Sequence, residues 1–201
     1  MEMAHPYEPN VLKNEFPVYR DTLESLFENH PVYVFGYGSL LYREGWLSRG
    51  MRKPPRKNDL IECELNGYKR GPYGIYDRIA FYGVIEDPIA ITNGVLAPIK
   101  SAIDWVSLMR TEFVAGIATY ATYRVVDVTK SIVGDNIPPG KIHCVVNRAE
   151  NKSVIKRQLW RIVWPAGKYY EKVYAGVLKY RSDAFVERFL ETGGVKGEFD
   201  L

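Results

Sequence analysis

Strand-type runs outnumber helical ones along this sequence and do not alternate with them one for one, which predicts an α+β domain. Apolar, β-branched and aromatic runs of strand type recur at residues 32–35, 59–68, 78–85, 89–99, 119–128, 141–146 and 156–164. Helical spacing is confined to residues 18–29, 101–111 and two segments near the C-terminus, 169–180 and 182–190. No internal repeat or low-complexity linker interrupts the 201 residues, a length that buries one well-formed core. The expected organisation is an N-terminal extension with a short helix over residues 1–30, one domain over 31–192, and a tail over 193–201.

Composition narrows the classes. A net charge of +3 does not demand a polyanionic partner. No apolar run is long enough to span a bilayer, and residues 1–10 are polar and carry no signal-peptide pattern, so a soluble cytoplasmic chain is expected. Cys63 and Cys144 lie far apart with no C-x-x-C, and both are expected reduced. With only His5, His30 and His143 besides, there is no zinc-ligand spacing and no serine–histidine triad context. The 15 tyrosines read as half-buried strand residues with wet hydroxyls.

Taken in order, residues 1–17 are irregular and Pro-containing. Leu23, Leu26 and Phe27 then fall at helical spacing until His30-Pro31 ends the segment. Strand one, V-Y-V-F over 32–35, runs into G-Y-G-S-L-L. Residues 43–57 hold Arg43, Arg49, Arg52, Lys53, Arg56 and Lys57, and Pro54-Pro55 argues against a helix, so a solvated basic loop is expected. Residues 59–68 alternate as a strand, and Gly67, Gly71 and Gly74 make the next region loop-like. Residues 78–85 and 89–99 read as two separate strands, with Asn93-Gly94 as a tight turn or bulge. Ser101 and Asp104 resemble a capping box opening a helix whose face carries Ala102, Trp105, Val106 and Met109. Glu112 falls at its end, with Gly116 shortly after it. The final helix is capped by Ser182 and stopped by Gly193-Gly194.

The stretch that carries chemistry is Gly36-Tyr37-Gly38-Ser39-Leu40. Two glycines bracketing a tyrosine after a strand allow backbone angles closed to other residues, and N–H groups at such a turn can converge on an anion. There is no Gly-Lys-Ser/Thr, no third glycine at dinucleotide spacing, and no Gly-x-Ser-x-Gly. A phosphate or the carboxylate of a small substrate suits the loop. The alternative is a turn that only redirects the chain.

F-G-Y-G-S-L-L, over residues 35–41, resembles the signature of the γ-glutamylcyclotransferase-like family, in a spelling close to the branch with glutathione-degrading members. That family pairs the loop with one later glutamate at the close of a helix, then a glycine, then a tyrosine opening a strand. Here this reads M-R-T-E-F-V-A-G-I-A-T-Y-A-T-Y-R-V-V-D-V: Glu112 matches the catalytic glutamate, and Tyr123, or alternatively Tyr120, the tyrosine. The likeness runs from about Tyr33 to Leu190. Phe113 stands where many members have glycine, the interval from Glu112 to Tyr123 is longer than usual, and the basic stretch has no counterpart.

The resemblance implies a single α+β domain with a mixed, barrel-like sheet and peripheral helices. It implies γ-glutamyl cyclotransfer on a small γ-glutamyl amine or peptide, with release of 5-oxoproline and no cofactor or metal. Glu112 would act as general acid and base. Tyr37, Gly38, Ser39, Leu40 and Tyr123 would bind substrate, the loop N–H groups anchoring its α-carboxylate. A carboxylate at its ordinary pKa of about 4.3 is a poor base for an ammonium, so the role calls for a buried setting, which Phe113 and Val114 would supply. Two alternatives remain: a non-catalytic anion-binding module, and a nucleic-acid-associated protein using residues 43–57. The partner expected is a small molecule, with no membrane, and the sequence sets no oligomeric state.

Overall fold

A computed structural model describes Phe27 and residues 30–76, 79–114, 123–147 and 166–194. Six strands form one curled, mixed sheet: β1 (Val32–Gly36), β2 (Ile61–Tyr76), β3 (Ile79–Ile99), β4 (Tyr123–Asp127), β5 (Ile132–Val133) and β6 (Lys141–Asn147), in the order β4-β6-β1-β3-β2-β5. Only β1 and β6 run parallel, with Val34 opposite His143. The other pairs are antiparallel, including β1 on β3 with Val34 opposite Ala97. Among the described residues four α-helices flank the sheet: α1 (Arg43–Leu47), α2 (Ala102–Val114), α3 (Ala166–Tyr180) and α4 (Asp183–Glu191). The predicted α+β class with a barrel-like mixed sheet is the architecture found.

The glycine-rich region after residue 66 is not a loop. β2 continues through it, and Gly67, at φ +80°, forms a bulge that changes the strand's phase. Before it Cys63 and Leu65 are buried; after it Tyr68 and Arg70 are. One extra residue exchanges the faces of a strand, so this bulge keeps apolar residues inward on both sides of it. Opposite Gly67, β3 leaves Asp87, Pro88, Ile89 and Ala90 unpaired with β2, between Glu86 on Tyr68 and Ile91 on Asn66. Pro88 has no N–H to lose there. The expected break between two strands at this point is therefore an irregularity within one 21-residue strand. Asn93-Gly94 is neither a turn nor a bulge, since Gly94 pairs regularly with Cys63. It is glycine because a Cβ would lie 2.3 Å from the Phe35 ring and 2.6 Å from the Gly36 carbonyl oxygen.

The expected basic loop at 43–57 is partly structural. α1 folds within it, burying Gly45 and Trp46, and the Trp46 indole donates to the Leu40 carbonyl at 2.7 Å. A Cβ on Gly45 would lie 1.6 Å from the Ser39 carbonyl oxygen, so only glycine lets α1 return against the preceding turn. Arg52, Lys53, Arg56 and Lys57 are exposed, as the charge run suggested. Their backbone is tied down by fully buried Asp104, whose Oδ1 accepts the N–H groups of Arg52 (2.7 Å) and Lys53 (3.2 Å). Ser101 caps α2 by accepting the Asp104 N–H at 3.2 Å and donates to Asp104 Oδ2 at 2.9 Å. The reciprocal capping box is thus replaced by a brace between α2 and the basic segment.

Trp105, Leu108 and Met109 of α2, Tyr170, Val173 and Val177 of α3, and Phe185 and Phe189 of α4 join the sheet's buried residues in one core. Ser182 caps α4, accepting from the Phe185 N–H, and Gly193 at φ +88° closes it. Buried Arg70 donates to the Phe189 carbonyl at 3.3 Å and to Asn93 Oδ1 at 3.0 Å, placing a cation at the negative end of α4. Cys63 and Cys144 are free and buried, and burial pushes the Cys63 thiol up to about 12. The predicted helix at 18–29, except Phe27, and the predicted strand at 156–164 lie outside the described residues. Among the described residues no helix is long and apolar enough to cross a membrane.

Candidate active site

β1 delivers its last residues into a tight turn, and a 3-10 turn over Ser39–Leu41 comes directly after it. Phe35 and Leu41 are buried on either side, which fixes the loop between them. Gly36 must be glycine because a Cβ would lie 2.7 Å from the Leu40 Cβ. Gly38 adopts φ −129° and ψ −119°, not the positive φ that a Gly-x-Gly loop suggests. Its small size matters instead: a Cβ there would approach the Tyr169 hydroxyl at 3.0 Å and the Tyr82 Cβ at 3.1 Å. The Leu41 N–H bonds the Gly38 carbonyl at 2.9 Å, while the N–H groups that open such a turn have no partner within it.

Tyr37, Gly38, Ser39 and Leu40 line a cavity of about 440 Å³, and Glu112, from the last turn of α2, lines its other side. Five of the six residues singled out by sequence therefore meet in one place. The sixth, Tyr123, opens β4 at the sheet edge, opposite Asn147; its side chain and all of Tyr120 lie outside the described residues, as do the side chains of Phe113 and Val114. Tyr37 donates to the Val145 carbonyl at 2.8 Å, so β6 holds the loop's tyrosine.

The residue that joins the two walls is Arg49, read from sequence only as part of a basic run. Its Nε donates to Glu112 Oε1 at 2.6 Å and its Nη2 to Ser39 Oγ at 2.7 Å. Nη1 donates to the Gly45 carbonyl at 3.1 Å and to Ser48 Oγ at 2.7 Å. The Arg49 and Glu112 side chains are 14% and 20% exposed. Burial acts to lower the guanidinium's pKa, but the charge and hydrogen bond of Glu112 outweigh it and hold Arg49 above its usual range. Thr111 Oγ1 donates to the Arg49 carbonyl at 3.2 Å, so adjacent α2 residues grip both ends of this arginine.

Aromatic residues close the cavity. Tyr42, Phe81, Tyr82 and Tyr169 line it, and Tyr169 packs edge-on to Phe81 with centroids 4.8 Å apart. Burial pushes the Tyr169 hydroxyl well above its usual range; nearby Glu112 adds to this and Arg49 opposes it. Tyr82 is buried on β3, whereas Tyr42 and Tyr169 are half-buried and lie off the strands, and the tyrosine-rich run at 169–180 was the signal for the one on α3. Glu44 and Lys172 complete the charged lining. Among the described residues no group of three or more His, Cys, Asp or Glu is placed to hold a metal ion.

The cavity is lined by the glycine loop, by a carboxylate within a charge-assisted network, and by aromatic side chains. Those features suit a small zwitterion or anion. No protein-family model matches the chain, and no curated protein does. Solved structures do. A γ-glutamyl cyclotransferase superposes with a TM-score of 0.53 at 12% identity, over 85% of this chain and 93% of that one. YkqA from Bacillus subtilis gives 0.53 at 18% identity, over 82% of this chain and 54% of that one, so the chain spans about half of YkqA's length. The uncharacterized protein loc79017 from Homo sapiens gives 0.52 at 11% identity, over 86% and 94%. The chain has the γ-glutamylcyclotransferase-like fold.

Proposed function

We propose that this protein is a γ-glutamyl cyclotransferase acting on a small γ-glutamyl compound. One observation carries the reading: residues 37–40 and Glu112 line the same cavity, bridged by Arg49. In the reaction, the substrate's α-amine nitrogen bonds to its own γ-carbonyl carbon, and the γ-amide C–N bond breaks. The products are 5-oxoproline and a free amine, with no water consumed. Both reacting groups belong to one molecule, so the protein's main task is to hold the chain bent for attack. The N–H groups of Gly38, Ser39 and Leu40 anchor the α-carboxylate, and Ser39 Oγ is held in place by Arg49. Glu112 takes a proton from the α-ammonium and returns it to the departing nitrogen, while Arg49 fixes its carboxylate. Tyr123 remains a proposed substrate contact.

The Arg49–Glu112 pair also favours a second reading. With Glu112 already paired to Arg49, the same cavity would serve as a non-catalytic anion-binding module. Incubating the protein with a panel of γ-glutamyl amino acids, peptides and amines, and measuring 5-oxoproline, separates the two. Release from at least one compound supports cyclotransfer. Binding of these compounds without any release overturns it in favour of the binding module.

A further inference from the structure

The basic segment at residues 43–57 serves two places. Arg49 reaches Ser39 and Glu112 in the cavity. Arg52, Lys53, Arg56 and Lys57 are exposed, and among the described residues none of the four side chains has an acidic partner. Cations elsewhere are held differently: Lys100, Arg124, Lys141, Lys179 and Arg188 each pair with a carboxylate.

Four unpaired cations within six residues repel one another, yet their backbone is fixed. Asp104 accepts the N–H groups of Arg52 and Lys53. Asp59 Oδ2 accepts the Arg56 N–H at 2.9 Å, and the Arg56 carbonyl accepts the Asp59 N–H at 3.0 Å. Pro55, between the two pairs, is buried, and Lys57 Nζ lies 5.8 Å from the centre of the Tyr180 ring on α3. A row anchored in this way has little backbone entropy left to lose on binding.

The row is separate from the cavity. None of the four residues lines it, and α2 rises about 12 Å from Asp104, which holds the row, to Glu112, which lines the cavity. Five steps of chain from Arg52 to Lys57 span no more than about 18 Å. Charges on one strand of a duplex recur about every 3.4 Å along the axis, so the row can meet several successive phosphates. Only Pro54 and Pro55 stand between the cations, half-buried and buried, so the row carries no large apolar side chain to insert among lipid tails. Ile103, exposed beside Asp104, is one residue and not an apolar face.

We propose that Arg52, Lys53, Arg56 and Lys57 dock the phosphate backbone of a nucleic acid, without regard to base sequence. The contact is independent of cyclotransfer, and either can fail without the other.

Fluorescence anisotropy of labelled strands of about 20 nucleotides, single and duplex, DNA and RNA, tests it with the full chain. Binding is expected with a Kd of about 10⁻⁴–10⁻⁶ M at physiological salt. Log K falls against log salt with a slope of about −2.8 to −3.6, the value for four neutralised phosphates. Binding of any of the four probes supports the row, and the tightest identifies the form of the partner. Replacing all four residues with Gln weakens binding at about 50 mM salt by at least about tenfold and flattens the slope. Lys69→Gln, Lys130→Gln and Lys168→Gln together remove exposed charge from other surfaces and leave binding in place. Should the quadruple variant melt below wild type, the pairs Arg52→Gln/Lys53→Gln and Arg56→Gln/Lys57→Gln replace it, each expected to remove about half of the slope. No binding at about 50 mM salt, an unchanged slope in the row variants, or an equal loss in the control variant overturns the proposal. Tighter binding to phosphatidylcholine vesicles with about 30% phosphatidylserine than to any strand at the same salt also overturns it, in favour of a membrane surface.

Discussion

Arg49 Nε donates to Glu112 Oε1 at 2.6 Å, across 63 positions of sequence. The same guanidinium reaches Ser39 through Nη2, so one side chain sets the distance between the glycine loop and the end of α2. Lysine keeps the charge but not the planar fork. Arg49→Lys is therefore expected to lower kcat/KM by about 10²-fold, the usual effect of misplacing a reacting group by about 1 Å. Arg49→Met strands a half-buried carboxylate and is expected to cost about 2–4 kcal/mol as well. Steady-state kinetics with thermal melts checks both. A fully active Arg49→Met would remove this residue from the site.

Glu112→Gln keeps the shape and can still accept from Arg49, but it cannot take a proton at neutral pH. If Glu112 is the shared acid and base, kcat falls by about 10²–10⁴-fold with substrate affinity little changed. Arg49 loses its counter-ion, so the melting temperature falls rather than rises. Near wild-type turnover of any cyclised substrate would sink the assignment.

Gly38→Ala tests the close approach at the loop. The new methyl must displace the Tyr169 hydroxyl or the Tyr82 Cβ, at 3.0 and 3.1 Å, and both groups belong to the cavity wall. Weaker substrate binding and a loss of about 1–3 kcal/mol are expected. An alanine variant with unchanged affinity and melting temperature would show that the wall yields freely.

The basic segment separates side chains from backbone. Neutralising Arg52, Lys53, Arg56 and Lys57 together is expected to leave the melting temperature nearly unchanged, because all four side chains are exposed. Asp104→Ala is expected to cost about 2–4 kcal/mol, because it leaves the N–H groups of Arg52 and Lys53 without their acceptor and α2 without its brace. Urea unfolding of the two variants should rank them in that order; the reverse ranking would show that the charges themselves hold the segment.

His143 gives a pH dependence. Burial holds its imidazole below the usual range; Asp127 opposes this and Lys141 adds to it, and the ring of Trp105 packs edge-on at 5.1 Å. Between the folded pKa and the unfolded value of about 6.5, the unfolded chain binds a proton that the folded chain does not. Stability from this group is complete above about pH 6.5 and is lost as pH falls below it. Melting temperatures at pH 7.5 and 5.5 should differ less in His143→Gln than in wild type. An equal difference in both would rule His143 out as the source.

The strand into Gly36-Tyr37-Gly38-Ser39, the helix that carries Glu112 in its last turn and the cap at Ser182 were all readable from sequence. Each is a local signal: a strand-type run, helical spacing, or a polar side chain meeting an N–H three residues on. The pairing of loop and glutamate came from the family resemblance, and the cavity brings both to one place. The tertiary structure decided the rest. Gly67 looked like the start of a loop because glycine favours turns; only pairing with β3 shows it as a bulge that preserves the buried face. Gly38 looked like a residue needed for its backbone freedom, but what crowds it is tertiary: α3 and β3 bring Tyr169 and Tyr82 against it. Arg49 looked like one charge in an exposed run. Its partners Ser39 and Glu112 come from segments that spacing cannot relate, and an arginine's role is fixed by what lies within hydrogen-bond reach, not by its neighbours in the chain.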